Sequence, residues 1–281
     1  MNNKRIIANA DDFGRHLLIN KAVEKALTQG CLRSATLMPT GAAFENAIAL
    51  AKEHPQLGLG IHLTLVNATP LLDPSLIPSL VTPQGVFLDN YLLFVKAYFL
   101  GKINLPQVRL ELAAQMDRVL ATGVKISHID SHQHMHTLPG IIDIALDLAQ
   151  QHHINAVRIP KTPLFTGFSG NPIQLAGRMG LSTMALLAER KARARGFLCP
   201  HNFAGIVAGT AVTVEQMKHI LSNLAPGTTE IMVHPGTHNE ELVKDCQWDH
   251  DFEAELAALT APEILAYLQK ENIEAINFTQ L

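Results

Sequence analysis

Short apolar, β-branched runs alternate along this chain with longer stretches in which apolar residues recur every three or four positions. About eight runs have the length of a strand, at residues 5–10, 34–38, 57–63, 126–130, 156–159, 203–207, 230–234 and 273–278. Between the first two, Ile19, Ala22, Val23, Ala26 and Leu27 fall on one face of a predicted helix that stops near Gly30. Strand and helix repeated in this order predict parallel strands with helices outside. Polar residues gather at the C-terminal ends of several strands, which in a barrel meet at one mouth. An open doubly wound sheet would carry a glycine-rich phosphate loop after its first strand, and Asp11-Asp12-Phe13-Gly14 is not such a loop. The expected fold class is α/β, a TIM-like (β/α) barrel, closed or imperfect.

With 281 residues, 47% of them hydrophobic and 17% charged, the chain can bury a large core, and residues 1–281 are read as one domain. An insertion at about 66–105 is expected near the barrel mouth or a dimer surface. Its aromatics Tyr91, Phe94, Tyr98 and Phe99 lie near helical spacing and are read as packing of a short helix, ahead of a sugar-stacking or dimer surface.

A net charge of −3 supplies no positive field for nucleic acid. The one basic cluster, Arg190-Lys191-Ala192-Arg193-Ala194-Arg195, ends a helical pattern and reads as a solvated helix terminus. Ile6-Ile7-Ala8 is too short for a secretion signal, and no run approaches the ~18 apolar residues of a membrane span. Cys31, Cys199 and Cys246 are widely spaced and form no C-x-x-C pair. A cytoplasmic protein is the expectation.

Metal-capable side chains follow apolar runs at three places: Asp11-Asp12, His62, and Asp130-Ser131-His132-Gln133-His134-Met135-His136. A metal-dependent hydrolase needs few protein ligands, open positions and a base nearby. His62, His132 and one of the two aspartates supply a two-histidine, one-carboxylate set, and the other aspartate is left as general base. Helix capping by Asp11 or Asp12 is the plain alternative. In an extended segment His132, His134 and His136 would share a face, with Asp130 able to orient an imidazole and His134 and His136 supporting the site or touching substrate. His128 reads as structural. His234, at a strand end before Pro235-Gly236, suits protonation of a departing amine. Arg158 and Lys161 end another strand, where a cation could hold a substrate group or the catalytic aspartate, with surface pairing an equal reading. His238, Asp249, His250 and Asp251 form a polar stretch that receives no role.

Asn9-Ala10-Asp11-Asp12-Phe13-Gly14, Gly60-Ile61-His62-Leu63, the segment from Asp130 to His136 and Val233-His234-Pro235-Gly236 together resemble the YdjC-like carbohydrate deacetylase family. The resemblance implies a polysaccharide-deacetylase-like (β/α) barrel that removes an N-acetyl group from an N-acetylglucosamine-type sugar or glycolipid. It implies Asp12, His62 and His132 as metal ligands, Asp11 as general base and His234 as general acid. It also implies magnesium and a homodimer, although two imidazoles suit zinc or another transition ion better. The stretch from Arg193 to Gly205 and the helix from Val214 are reminiscent of the hopanoid branch of that family. The rival readings are another barrel metal hydrolase, an amidohydrolase or phosphoesterase, and a catalytically silent sugar-binding protein.

Overall fold

The computed structural model describes residues 4–161, 172–206 and 211–281; Val207, the last residue of one expected strand, lies outside them. The strands are β1 (Lys4–Phe13), β2 (Ser34–Leu37), β3 (Gly58–Leu63), β4 (Ile126–Ser131), β5 (Asn202–Ala204), β6 (Gly227–Val233) and β7 (Glu274–Ala275). Around them lie α1 (Leu17–Gln29), α2 (Phe44–Glu53), α3 (Tyr91–Phe99), α4 (Leu105–Leu120), α5 (Ile141–Gln151), α6 (Pro172–Ala194), α7 (Val214–Ser222), α8 (Asn239–Cys246), α9 (Phe252–Thr260) and α10 (Pro262–Lys270).

Every strand pairing is parallel, in the order β4-β3-β2-β1-β6-β5, with β7 beside the start of β1. In β1, Ile6, Ile7, Ala8 and Ala10 are all buried, because a parallel strand covered on both faces needs an unbroken apolar run. On α1 the predicted stripe of Ile19, Ala22, Val23, Ala26 and Leu27 is the buried face. His16 caps this helix by accepting the Leu18 N–H, so neither aspartate serves that purpose.

Among the described residues the sheet curls but does not close. Between β4 and β5 the expected strand at 156–159 contributes single bridges only, Ile129 to Val157 and Ala156 to Leu198. Pro160 and Pro200 flank these bridges and lack the amide hydrogens that a longer ladder would use. The TIM-like expectation is thus met in its imperfect form, a half-barrel surrounded by helices.

In the 66–105 segment Phe94 is fully buried and the Tyr98 hydroxyl donates to the Pro139 carbonyl at 2.5 Å. Tyr91 and Phe99 are 46% and 64% exposed, so packing accounts for half of that aromatic set. Glu111 and Gln115 of α4 pin the loop after β3 by accepting the N–H groups of Leu71, Leu72 and Thr64. The basic end of α6 is paired as well as solvated: Lys191 reaches Asp143 at 2.6 Å and Arg195 reaches Asp147 at 2.5 Å on α5. Lys161 pairs with Glu189 at 2.7 Å. Among the described residues no helix is long and apolar enough to cross a membrane.

Candidate active site

The site begins with an irregularity in β1. Asn9 and Ala10 pair with Ser34 and Ala35, but Phe13 then faces Leu37, so β1 carries one extra residue. Asp12 takes a φ of 60°, a left-handed backbone that costs a residue with a β-carbon about 1–2 kcal/mol. Regular alternation would send adjacent aspartates to opposite sides. The bulge lets both reach the surroundings of His62. Buried Asn20 fixes the turn that follows, accepting the Gly14 N–H at 2.7 Å and donating to the Ala43 carbonyl.

Asp12, His62 and His132 come from the ends of β1, β3 and β4 and offer ligand atoms that all lie within 4.8 Å of one another. Asp12 Oδ1 is 3.3 Å from His62 Nε2 and 3.0 Å from His132 Nδ1. The first contact is out of line for a hydrogen bond, and both Asp12 Oδ1 and His62 Nε2 are buried without a hydrogen-bond partner. Such orphaned atoms are costly unless a further group satisfies them. Behind His62, Nδ1 donates to Asp130 Oδ1 at 2.8 Å and lies 3.2 Å from the Thr36 hydroxyl, which fixes the ring and turns Nε2 toward Asp12. Burial disfavours charge on His62, yet Asp130, Asp11 and Asp12 outweigh it and raise its pKa to about 10. Burial likewise disfavours charge on Asp12, and His132 and Arg15 outweigh it, holding the carboxyl well below its usual range. The pocket therefore favours a positive charge between these groups.

Asp11 faces the other way. Arg158, fully buried, grips it with both terminal nitrogens at 2.6 Å, and Asn9 donates to Oδ1 at 2.9 Å. Arg158 also reaches Asp130 Oδ2 at 2.8 Å and Glu230 Oε1 at 2.7 Å, so one guanidinium joins carboxylates from three strands. Burial alone would raise the pKa of Asp11, but Arg158 lowers it on balance. Glu230 is less well compensated: burial outweighs Arg158 and pushes its pKa up to about 7. A second acidic grouping, Asp11, His62 and Asp130, suits a metal poorly, since the guanidinium already occupies it.

The histidine run does not present one face. The chain leaves β4 at Ser131 and winds into a 3₁₀ turn, His132–Thr137, with Gln133 and His134 at φ of 52° and 60°. His132 alone enters the trio. His134 packs edge-on against Phe203, and His136 is held by the Ser131 hydroxyl and by the Arg158 carbonyl at 2.9 Å. His128 is structural, stacked on Phe278 with 3.5 Å between ring centres.

His234, just past β6, brings Nε2 to 3.9 Å from Asp11 Oδ2. Its N–H donates to the buried carboxylate of Glu255, which lies 3.9 Å from His234 Nδ1 and 3.4 Å from His250 Nε2. Burial keeps the His234 imidazole below its ordinary pKa despite Asp11 and Glu255. All five expected site residues are thereby brought together. Arg15, Glu230, Glu255 and Trp248 were not singled out from the sequence. Glu230 left a trace there, as a carboxylate at the head of the apolar run Ile231-Met232-Val233, where a bare charge demands a partner.

A half-barrel with a two-histidine, one-carboxylate cluster and an arginine-held aspartate at its strand ends defines an α/β protein with a candidate metal centre. The model of the family described as YdjC-like protein matches residues 5–270, and the chain belongs to that family. A protein of Brevibacillus brevis named carbohydrate deacetylase is 31% identical over 278 residues, covering 99% of each chain. A human protein of the same name is 30% identical, covering 96% of this chain and 88% of its own. A solved structure from Enterococcus faecalis V583, provisionally named a cellobiose-phosphate cleavage protein, superposes with a TM-score of 0.76 at 25% identity, covering 99% of this chain and 98% of its own.

Proposed function

We propose that this protein is a metal-dependent carbohydrate deacetylase, which hydrolyses the N-acetyl amide of an N-acetylglucosamine-type sugar or glycolipid to acetate and a free amine. The activity class follows from the family and from the names its relatives carry. The observation that carries metal dependence is the pair of orphaned atoms, Asp12 Oδ1 and His62 Nε2, facing each other beside His132. Asp12, His62 and His132 would hold a divalent ion, which supplies polarisation of the amide carbonyl and a water of lowered pKa. Two imidazoles and one carboxylate fit zinc, cobalt or nickel better than the magnesium the family resemblance brings.

Asp11 is the general base. Arg158 and Asn9 fill both acceptor directions of Oδ1 and one of Oδ2, which leaves a single acceptor position, on the oxygen nearer His234. A carboxylate held this firmly stays ionised and correctly aimed, and it takes the proton as the water attacks the acetyl carbon. That proton passes from Asp11 Oδ2 to His234 Nε2, 3.9 Å away, and His234 gives it to the nitrogen as the C–N bond breaks, so the sugar leaves as an amine and Asp11 is again a carboxylate.

The test is acetate release from N,N′-diacetylchitobiose and from an N-acetylglucosaminyl lipid, after chelation and return of zinc, cobalt, nickel or magnesium singly. Ammonia from simple amides and phosphate from sugar phosphates are scored alongside. Acetate alone is expected, and His62→Ala is expected to lose it while still unfolding cooperatively. A His62→Ala protein that releases acetate at the parent rate overturns the assignment.

A further inference from the structure

Trp248 is the only tryptophan of the chain, and it sits in the turn between α8 and α9 with 39% of its surface exposed. One face of the indole stacks on His250, with ring centres 3.9 Å apart and planes 21° from parallel. His234 meets it edge-on at 4.9 Å and Phe252 edge-on at 5.8 Å. His250 is itself buried, backed by Phe252 at 4.7 Å and by Glu255. Glu255 accepts the N–H groups of both His234 and Val212, so one buried carboxylate positions the proposed acid and the stack beside it. The indole is thus held by the His250 stack and two edge-on ring contacts, with 39% of its surface left exposed for contact with something outside.

An immobilised aromatic face next to the group that protonates a sugar amine has a natural complement. The axial C–H bonds of a pyranose ring present a flat apolar surface with positive-edged hydrogens, which pairs with the electron-rich face of an indole, while the hydroxyls stay in water. Building on the deacetylase reading above, we infer that Trp248 is the stacking wall for the sugar ring that bears the scissile N-acetyl group. His250 and Glu255 are positioning residues for it.

Because the tryptophan is unique, its emission reports this contact directly in the unaltered, metal-loaded protein. Titration with N-acetylglucosamine, diacetylchitobiose and glucosamine is expected to shift the emission to shorter wavelength, saturably, and to shield the indole from acrylamide quenching. Sorbitol at equal concentration is expected to do neither. Trp248→Ala is expected to raise KM for diacetylchitobiose about tenfold or more, equivalent to about 1.4 kcal/mol of binding, and Trp248→Phe to restore most of it. Acetate release with no response of the emission, or with KM unchanged in Trp248→Ala, overturns the stacking role and leaves the deacetylase reading intact. Absence of acetate release with a saturable emission shift does the reverse.

Discussion

Arg158 holds its charge out of contact with water between Asp11, Asp130 and Glu230. Removing such a cation leaves three buried carboxylates without their shared counter-charge, with only Asn9 on Asp11 and His62 on Asp130 remaining as partners. Arg158→Met is therefore expected to lower unfolding stability by about 3–5 kcal/mol in urea titrations, and Arg158→Lys to recover little, because an ammonium cannot grip Asp11 with two parallel bonds. Asp130 acts on the proposed centre through His62, whose Nδ1–H it accepts at 2.8 Å. Asp130→Asn is expected to weaken zinc binding about 10–100-fold in isothermal titration, with the protein still folded. An unchanged affinity would show that the His62 ring is held by something else.

Each expected site residue lies at the end of a strand, and that regularity made the site legible: an apolar run that stops at Asp, His or Asp-x-His announces a barrel mouth. The bulge was not legible. Nothing in Ala10-Asp11-Asp12-Phe13 announces an extra residue in the ladder, since the register depends on where β2 pairs, so the division of tasks between Asp11 and Asp12 stayed open to residue-level reasoning. The winding of His132–Thr137 was hidden for a similar reason, as period-two spacing presumes extended backbone and Gln133 and His134 depart from it. The interruption at 156–159 could have been suspected from Pro160. β3 makes its own demand for a small residue. A β-carbon on Gly60 would stand 2.5 Å from His128 Cε1 and 2.6 Å from Thr36 Cγ2. Gly60→Ala is expected to cost about 1–3 kcal/mol in thermal or urea unfolding, and to lower acetate release by shifting His62 two residues on. Wild-type stability with wild-type activity would mean the strand can give way.

Across the molecule, the buried neutral histidines set the acid limit. Burial, above all, holds His128 at about 3 and His136 at about 4, against an ordinary value of 6.5 that unfolding restores. Between those values the unfolded chain binds protons that the native protein refuses. The contribution of these two rings is thus complete above about pH 6.5 and is lost as pH falls toward 4, by on the order of 3 kcal/mol for each, while Glu230, raised to about 7, opposes it by about as much as one ring between pH 7 and 4.5. Urea titrations at successive pH values check the sign, and a midpoint that holds steady between pH 7 and 4.5 would refute it. The gap in the strand ring has a consequence at this scale. Where β4 and β5 lack a ladder, closure falls to electrostatics, because the guanidinium beside the seam tethers β1, β4 and β6 from the inside. The residue that aims the proposed base is also the rivet of the architecture, so selection cannot adjust durability and turnover independently there, and natural variation at this position should be the narrowest in the molecule.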